Sequence, residues 1–312
     1  MMLRDPADVT FTSGGDLIAA WWFPGGTGRR PCVVMVHGAG GTKRSGLQPY
    51  AQQFAAAGVH VLVIDYRHFG DSGGQPRQLL DPRQQVDDIL AAVRYARSRD
   101  DVDADRVALW GTSYGGGNVV VAAVRDGRVA AVVSQCPAMD GVTATWRALT
   151  QHGVTPRTLL GMMRAVAADL LAAALDRPPV YVGLVGAPGS GAVMSAPDSE
   201  AGYRRIAGPD WVNAVCARLA VTGLLHRPIR LADRVPCPWL VQICDRDTVA
   251  PTTSAVTAAR RAGTRAVVHH YDLGHFDIYV DHGFQASAHD QLDFLREHLT
   301  PIRGAPRSTA SA

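Results

Sequence analysis

Residues 106–117 read RVALWGTSYGGG, and this stretch decides the fold. Its first five residues form an apolar run typical of a strand that is buried on both faces of a sheet. The pentapeptide GTSYG then matches the G-x-S-x-G pattern, and a helical pattern follows over residues 115–125. A strand, a glycine-flanked turn at Ser113 and a helix predict a nucleophile held on a sharp turn. The alternative is a glycine-rich turn in which the serine only caps a helix.

The same alternation of strand and helix continues on both sides of this stretch. Apolar, strand-like runs lie at residues 32–37, 60–66, 129–135, 238–243 and 266–271. Helical patterns lie at residues 45–57, 83–98, 251–262 and 287–299. Residues 8–24 contain two shorter β-prone runs around a turn, which indicates a hairpin. The chain therefore predicts an α/β fold in which helices cover both faces of a mostly parallel sheet.

The alternation stops near residue 138 and resumes at residue 238. We therefore predict a core made of residues 1–137 and 236–300, and a helical cap insertion at residues 138–235. Such a cap would lie over the carboxyl ends of the strands, where open α/β sheets bind their ligands. Residues 301–312 read PIRGAPRSTASA and are expected to form a disordered tail.

A serine hydroxyl needs a base to become a nucleophile, and His275 follows the last predicted strand. The base in turn needs an orienting carboxylate. Asp247 follows the strand at residues 238–243, and Asp245 is the alternative two residues earlier. We prefer Asp247 because the two extra residues carry it beyond the end of the strand. The chain order Ser113, Asp247, His275 is that of α/β-hydrolases.

Two backbone N–H groups are candidates for an oxyanion hole. One belongs to Tyr114, directly after the serine, and the other to Ala39 in the glycine-rich loop after the first buried strand. For the substrate pocket the candidates are apolar residues of the cap: Leu159, Leu160, Met162 and Met163. These four side chains are equally well explained as the core of a helix.

Composition excludes several classes of function. The 312 residues carry a net charge of +3 with the basic residues scattered, so no nucleic acid or membrane partner is expected. Lys43 is the only lysine, which we attribute to codon bias. The five cysteines include no C-x-x-C pair and are expected to be buried thiols in a cytoplasmic protein without a signal peptide. The histidines between residues 269 and 282 lack metal-binding spacing, so no metal is expected.

The chain resembles the α/β-hydrolase superfamily over nearly its whole length. The segments that carry the resemblance are VHGAGGTKR (36–44), DYRHFGDSGGQPRQL (65–79), WGTSYGGG (110–117), SQCPAMDG (134–141) and LGHFDIY (273–279). They resemble the branch of dienelactone hydrolase and X-prolyl dipeptidyl peptidase, and its fungal polyketide transferases. The resemblance implies a triad of Ser113, Asp247 and His275, a covalent acyl-enzyme and no cofactor. Dienelactone hydrolases use cysteine, so the serine here makes a dienelactone substrate unexpected.

The expected activity is hydrolysis of a carboxylic ester or thioester of a hydrophobic small molecule. An acyltransferase uses the same triad, so the sequence leaves that activity open too, with cleavage after proline as a lesser variant. Two further classes stay open at a lower rank, namely a lyase or isomerase and a binding protein on the same fold. The sequence leaves the oligomeric state open, a homodimer included.

Overall fold

The computed structural model describes residues 5–299, so the predicted tail at residues 301–312 lies outside the described residues. The strands are β1 (Ala7–Ser13), β2 (Asp16–Phe23), β3 (Arg30–Val36), β4 (His60–Ile64), β5 (Val102–Thr112), β6 (Val132–Gln135), β7 (Tyr181–Val182), β8 (Val215–Cys216), β9 (Trp239–Cys244) and β10 (Ala266–Tyr271). The helices are α1 (Gln48–Ala56), α2 (Pro82–Arg97), α3 (Tyr114–Asp126), α4 (Gly141–Gln151), α5 (Pro156–Ala174), α6 (Ser199–Ile206), α7 (Leu219–Leu225), α8 (Thr252–Ala262) and α9 (Asp281–Leu299).

Eight of these strands form one sheet in the order β1-β2-β4-β3-β5-β6-β9-β10. The predicted hairpin is β1 and β2, and β2 pairs antiparallel with β4. From β4 to β10 every pairing is parallel. The predicted mostly parallel α/β sheet is therefore confirmed, and β5, which leads into Ser113, lies at its centre.

Two apolar cores cover the two faces of the sheet. Successive side chains of β3 point to opposite faces of the sheet. Val34 and Val36 therefore pack into one core, and Val33 and Met35 pack into the other. Helices α2, α3 and α8 belong to the first core, and α1 and α9 to the second. A strand that is buried on both faces explains the uninterrupted apolar runs in the sequence.

Residues 138–235 lie between β6 and β9, which are neighbours in the sheet. We call these residues the cap segment. It contains four helices, α4 to α7, a 3₁₀ turn at Pro228–Arg234, and the antiparallel pair β7 and β8. The sequence predicts mostly helix here. The two-residue strands are too short for their alternation to be visible, and β7 falls in a stretch that is rich in glycine and proline. Within residues 5–299, no helix combines the length and the apolar character that crossing a membrane requires.

Candidate active site

Ser113 lies in the turn between β5 and α3 and has a backbone φ of 55° and ψ of −119°. A non-glycine residue in this region is strained, and such strain is frequent at active sites. The two flanking glycines are sterically required. A Cβ on Gly111 would lie 2.3 Å from the carbonyl oxygen of Gly115, and a Cβ on Gly115 would lie 2.3 Å from that of His37. The G-x-S-x-G pattern is thus the sequence that this turn can accommodate.

His275 and Asp247 lie beside Ser113 and form a hydrogen-bonded chain with it. The Nε2 atom of His275 is 3.1 Å from Ser113 Oγ, and its Nδ1 atom is 2.6 Å from Asp247 Oδ2. All three residues are buried. Asp247 follows β9 and His275 follows β10, so the carboxyl ends of adjacent parallel strands bring them together. This chain has the geometry for proton transfer from the serine to the imidazole.

The loop after β9 fixes the Asp247 carboxylate. Its Oδ1 atom accepts hydrogen bonds from the N–H groups of Val249 at 2.8 Å and Ala250 at 2.7 Å. The Arg147 guanidinium of α4 donates to the Asp247 carbonyl oxygen at 2.9 Å, so the cap segment also holds this loop. Asp245 is half exposed and pairs instead with His270 at 2.7 Å. The alternative carboxylate therefore lies away from His275.

The surroundings of His275 favour its protonated form. Burial by itself lowers the pKa of His275, but the negative charge of Asp247 and its hydrogen bond more than offset burial, and the pKa is raised well above 6.5. A carboxylate that faces Nδ1 stabilises the imidazolium that forms when Nε2 takes a proton. This arrangement allows His275 to take up a proton in one step of acyl transfer and to give it up in the next.

Ala39 and Tyr114 present N–H groups next to Ser113. Tyr114 is the first residue of α3, so its N–H has no partner within the helix. The Ala39 N–H makes no hydrogen bond within residues 5–299, and Ala39 and Tyr114 line the same cavity as Ser113. Tyr203 of α6 donates to the Ala39 carbonyl oxygen at 2.8 Å, which holds the loop in place. Both residues therefore line the cavity at Ser113, and their role as oxyanion donors stays a prediction.

Lys43, at the end of this loop, has a structural role. The attribution of the single lysine to codon bias did not foresee this role. Its ammonium group is 1% exposed and lies 2.7 Å from Asp65 Oδ2 and 2.5 Å from Asp71 Oδ2. Asp65 also accepts the Lys43 N–H at 2.6 Å. The single lysine thus ties the loop after β3 to the chain after β4. The signal in the sequence was a lone lysine directly after the loop VHGAGGT.

A cavity of about 220 Å³ adjoins Ser113 between the sheet and the cap segment. Its wall consists mainly of apolar side chains from the cap, including Ala148, Leu149, Met162, Val166 and Leu219. Of the four pocket residues predicted from sequence, the cavity wall includes Met162. It does not include Leu159, Leu160 and Met163, whose side chains are 39%, 48% and 61% exposed, so the prediction is wrong for these three. The physical reason is helical periodicity, because α5 turns Met162 and Val166 inward, four residues apart.

Four residues of the wall carry a buried polar atom without a hydrogen-bond partner among the described residues, and two of these atoms are His152 Nδ1 and Ser199 Oγ. The other two are the Tyr114 hydroxyl and His226 Nε2, whose rings lie against each other with centroids 5.2 Å apart. Burial lowers the pKa of His226 to about 4, so its ring is neutral at physiological pH. Sequence reasoning did not single out either side chain for this position.

A metal ion would compete with the hydrogen-bonded chain for the same atoms. In the part of the chain that the structure describes, one group has the spacing of metal ligands, namely Cys136, Asp247 and His275, whose donor atoms lie within 4.8 Å of one another. Asp247 and His275 are already bonded to each other. A metal held here and a working chain to Ser113 therefore exclude each other.

Comparison with known proteins places these features in a family. Residues 13–177 match the X-Pro dipeptidyl-peptidase (S15) family. A quorum-quenching protein of Acinetobacter baumannii is 40% identical over 301 residues, 96% of each chain. A polyketide transferase of Aspergillus fumigatus is 27% identical over 304 residues, 94% of this chain and 98% of the relative.

A solved structure shows the same fold. The α/β-hydrolase from Penicillium sp. sh18 has a TM-score of 0.78 at 24% identity, and the alignment covers 95% of this chain and 99% of that chain. The predicted α/β-hydrolase fold and the predicted branch are confirmed.

Proposed function

Because this chain belongs to the X-Pro dipeptidyl-peptidase (S15) family of α/β-hydrolases, we propose that it is a serine hydrolase with Ser113 as nucleophile. In this proposal His275 is the general base and Asp247 orients it. One observation carries the proposal, the buried chain from Ser113 Oγ through His275 to Asp247 with distances of 3.1 and 2.6 Å. A strained turn that holds the serine at the start of this chain adds support.

The proposed reaction has two stages. His275 Nε2 takes the Ser113 proton as Oγ attacks the substrate carbonyl carbon, and the Ala39 and Tyr114 N–H groups bind the resulting oxyanion. His275 then protonates the leaving oxygen or sulfur, which departs and leaves an acyl-enzyme. Water attacks the acyl carbon while His275 takes its proton, and Ser113 is released together with a carboxylic acid.

The cavity favours an uncharged, largely apolar acyl group. Among the described residues its wall includes no Lys, Arg or Glu, and the Asp140 carboxylate is already bonded to the Arg227 guanidinium at 2.8 and 2.9 Å. No free charge is thus available to bind a substrate carboxylate or a protonated peptide amine. The Tyr114 hydroxyl and His226 Nε2 suit a keto or hydroxyl oxygen on the acyl chain. We therefore favour an ester or thioester over a peptide.

A second cavity bears on the choice between hydrolysis and acyl transfer. It has a volume of about 20 Å³ and adjoins Ser113 and His275, with Gly38, Ser45 and Tyr203 in its wall. This volume is enough for one water molecule, which is the acceptor in hydrolysis. The similarity to a polyketide transferase favours the second candidate, an acyltransferase that passes the acyl group to an alcohol or amine.

The test is product analysis with p-nitrophenyl esters and acyl thioesters of graded chain length, with and without an added alcohol or amine. Because one relative is a quorum-quenching protein, quorum-sensing signal molecules are also included in this panel. We expect the free acid as product in both conditions, and no turnover by Ser113→Ala. A product acylated on the acceptor would identify a transferase. Hydrolysis that survives in Ser113→Ala would refute the proposed nucleophile.

A further inference from the structure

Helix α5 presents an apolar surface to solvent. Its inner side faces the cavity with Met162 and Val166, and its buried Asp169 pairs with Arg218 at 2.7 Å. The opposite side carries Leu160, Met163 and Leu171, with Leu170 beside them and Leu175 directly after the helix, and all five are about half exposed. A surface helix normally has a polar outer face. We call this exposed side the outer face of α5, and residues 5–299 leave it uncovered.

The outer face is nearly symmetric about its middle residue, Ala167. Met163 and Leu171 lie four positions to either side, and Leu160 and Ala174 lie seven positions to either side. An antiparallel pair of identical helices that cross at Ala167 would bring Met163 of each copy against Leu171 of the other. The exposed alanines, Ala167 and Ala174, allow the two backbones to approach closely. A two-fold interface requires this kind of self-complementarity.

Charges at the ends of α5 fit the same arrangement. Arg157 in the first turn and Asp176 just beyond the last turn are exposed, and neither has an ion-pair partner within the described chain. They lie ten and nine positions from Ala167, on opposite sides. Asp176 lies beyond the last residue of α5, so an antiparallel pair would bring Arg157 of one copy to the end of the helix that precedes Asp176 in the other. Such a pair would place charges of both signs at each end of the contact, because Arg177 lies beside Asp176.

We propose that the outer face of α5 is a homodimer interface, in which a second copy of this chain packs antiparallel about Ala167. Two helices of 19 residues, each about 28 Å long by the α-helical rise, meet along this face. Their contact buries on the order of 1,000 Å² in total, near the lower bound of a specific interface. The inference does not rest on the proposed function.

Other occupants fit the outer face less well. An interfacial membrane helix combines an apolar face with a basic polar face, often with aromatic anchors. The other side of α5 is packed into the cap segment, and α5 contains no aromatic residue. Residues 301–312 contain one large apolar residue, Ile302, so that segment offers little to cover the face.

The first test is sedimentation velocity of the full chain over a concentration series from micromolar to submillimolar. We expect the wild type to dimerise, and Ala167→Arg to raise the dissociation constant at least about 100-fold because two guanidinium groups would meet at the two-fold axis. Leu17→Arg, on the exposed edge hairpin, is the matched control and should dimerise like the wild type. Circular dichroism of each variant checks that it is folded. A wild type that stays monomeric, or a dimer that persists in folded Ala167→Arg, would overturn the proposal.

The second test fixes the register. The native cysteines are all buried, so Ala167→Cys introduces an accessible thiol at the proposed axis. With diamide as oxidant we expect it to form a disulfide-linked dimer, since the proposed close packing would bring the two Cα atoms within disulfide reach. Ala168→Cys, about 100° around the helix, should cross-link far more slowly. Equal cross-linking of both variants would contradict the antiparallel contact. Flotation of a monomeric protein with anionic phosphatidylglycerol vesicles would identify a membrane as the occupant and refute the dimer.

Discussion

The Nδ1 atom of His275 lies 2.6 Å from Oδ2 of Asp247, while Asp245, two residues earlier, pairs with His270. We predict that Asp247→Asn lowers kcat by about 10³ to 10⁴, because the amide neither fixes the imidazole tautomer nor stabilises the imidazolium. Asp245→Asn is the matched control and should keep nearly wild-type kcat. Steady-state hydrolysis of a p-nitrophenyl ester measures both. Equal losses in the two variants would show that the carboxylate is misassigned.

The pH dependence of kcat/KM follows from the raised pKa of His275. Burial opposes its charge, but Asp247 dominates and raises the pKa well above 6.5. The neutral imidazole is the base, so activity should be full above this pKa and fall about tenfold per pH unit below it. The acid limb of the profile should therefore lie above pH 6.5, and the residual activity of Asp247→Asn should show a limb at lower pH. An acid limb of the wild type well below pH 6 would contradict this assignment.

The cavity beside Ser113 should set the preference for acyl length. Ala148 of α4 lies in its wall, so Ala148→Phe removes volume from the cavity. We predict a fall in kcat/KM of about 10- to 100-fold for long-chain esters, with acetyl esters little affected. Val142→Phe, at an exposed position of the same helix, controls for the added ring. An unchanged chain-length profile in Ala148→Phe would mean that the acyl group binds elsewhere.

Lys43 is predicted to stabilise the fold through the buried Asp65 carboxylate. Removing the ammonium in Lys43→Met leaves that carboxylate buried without its counter-charge, which costs about 3–5 kcal/mol of the free energy of unfolding. Arg128→Met breaks an exposed pair with Asp105 and should cost less than about 1 kcal/mol. Urea titration followed by circular dichroism compares the two variants. Similar small losses in both would show that the Lys43 pair contributes no more than a surface pair.

Much of the fold could be predicted because its signals are local. A strand buried on both faces appears as an apolar run, and the turn at Ser113 tolerates little besides glycine at Gly111 and Gly115. The positions of Asp247 and His275 followed from one rule, namely that parallel strands end at the same edge of a sheet. Their catalytic roles stay predictions until they are measured.

The cavity wall could not be predicted in the same way, because it depends on how the cap segment packs. Helix α5 is apolar on both sides, so its sequence does not show whether Met162 or Met163 faces inward. The contact of Arg147 with the Asp247 carbonyl oxygen joins residues 100 positions apart in the chain. The extent of the cap insertion at residues 138–235 remains a prediction of the sequence.

The central claim is that Ser113 is an activated nucleophile, and covalent labelling tests it most directly. Intact mass spectrometry of the wild type after treatment with a fluorophosphonate should show one adduct, because a serine paired with a base reacts where an ordinary buried hydroxyl does not. The folded Ser113→Ala variant should show none. A folded wild type that stays unlabelled, or an adduct that persists in Ser113→Ala, would contradict the account.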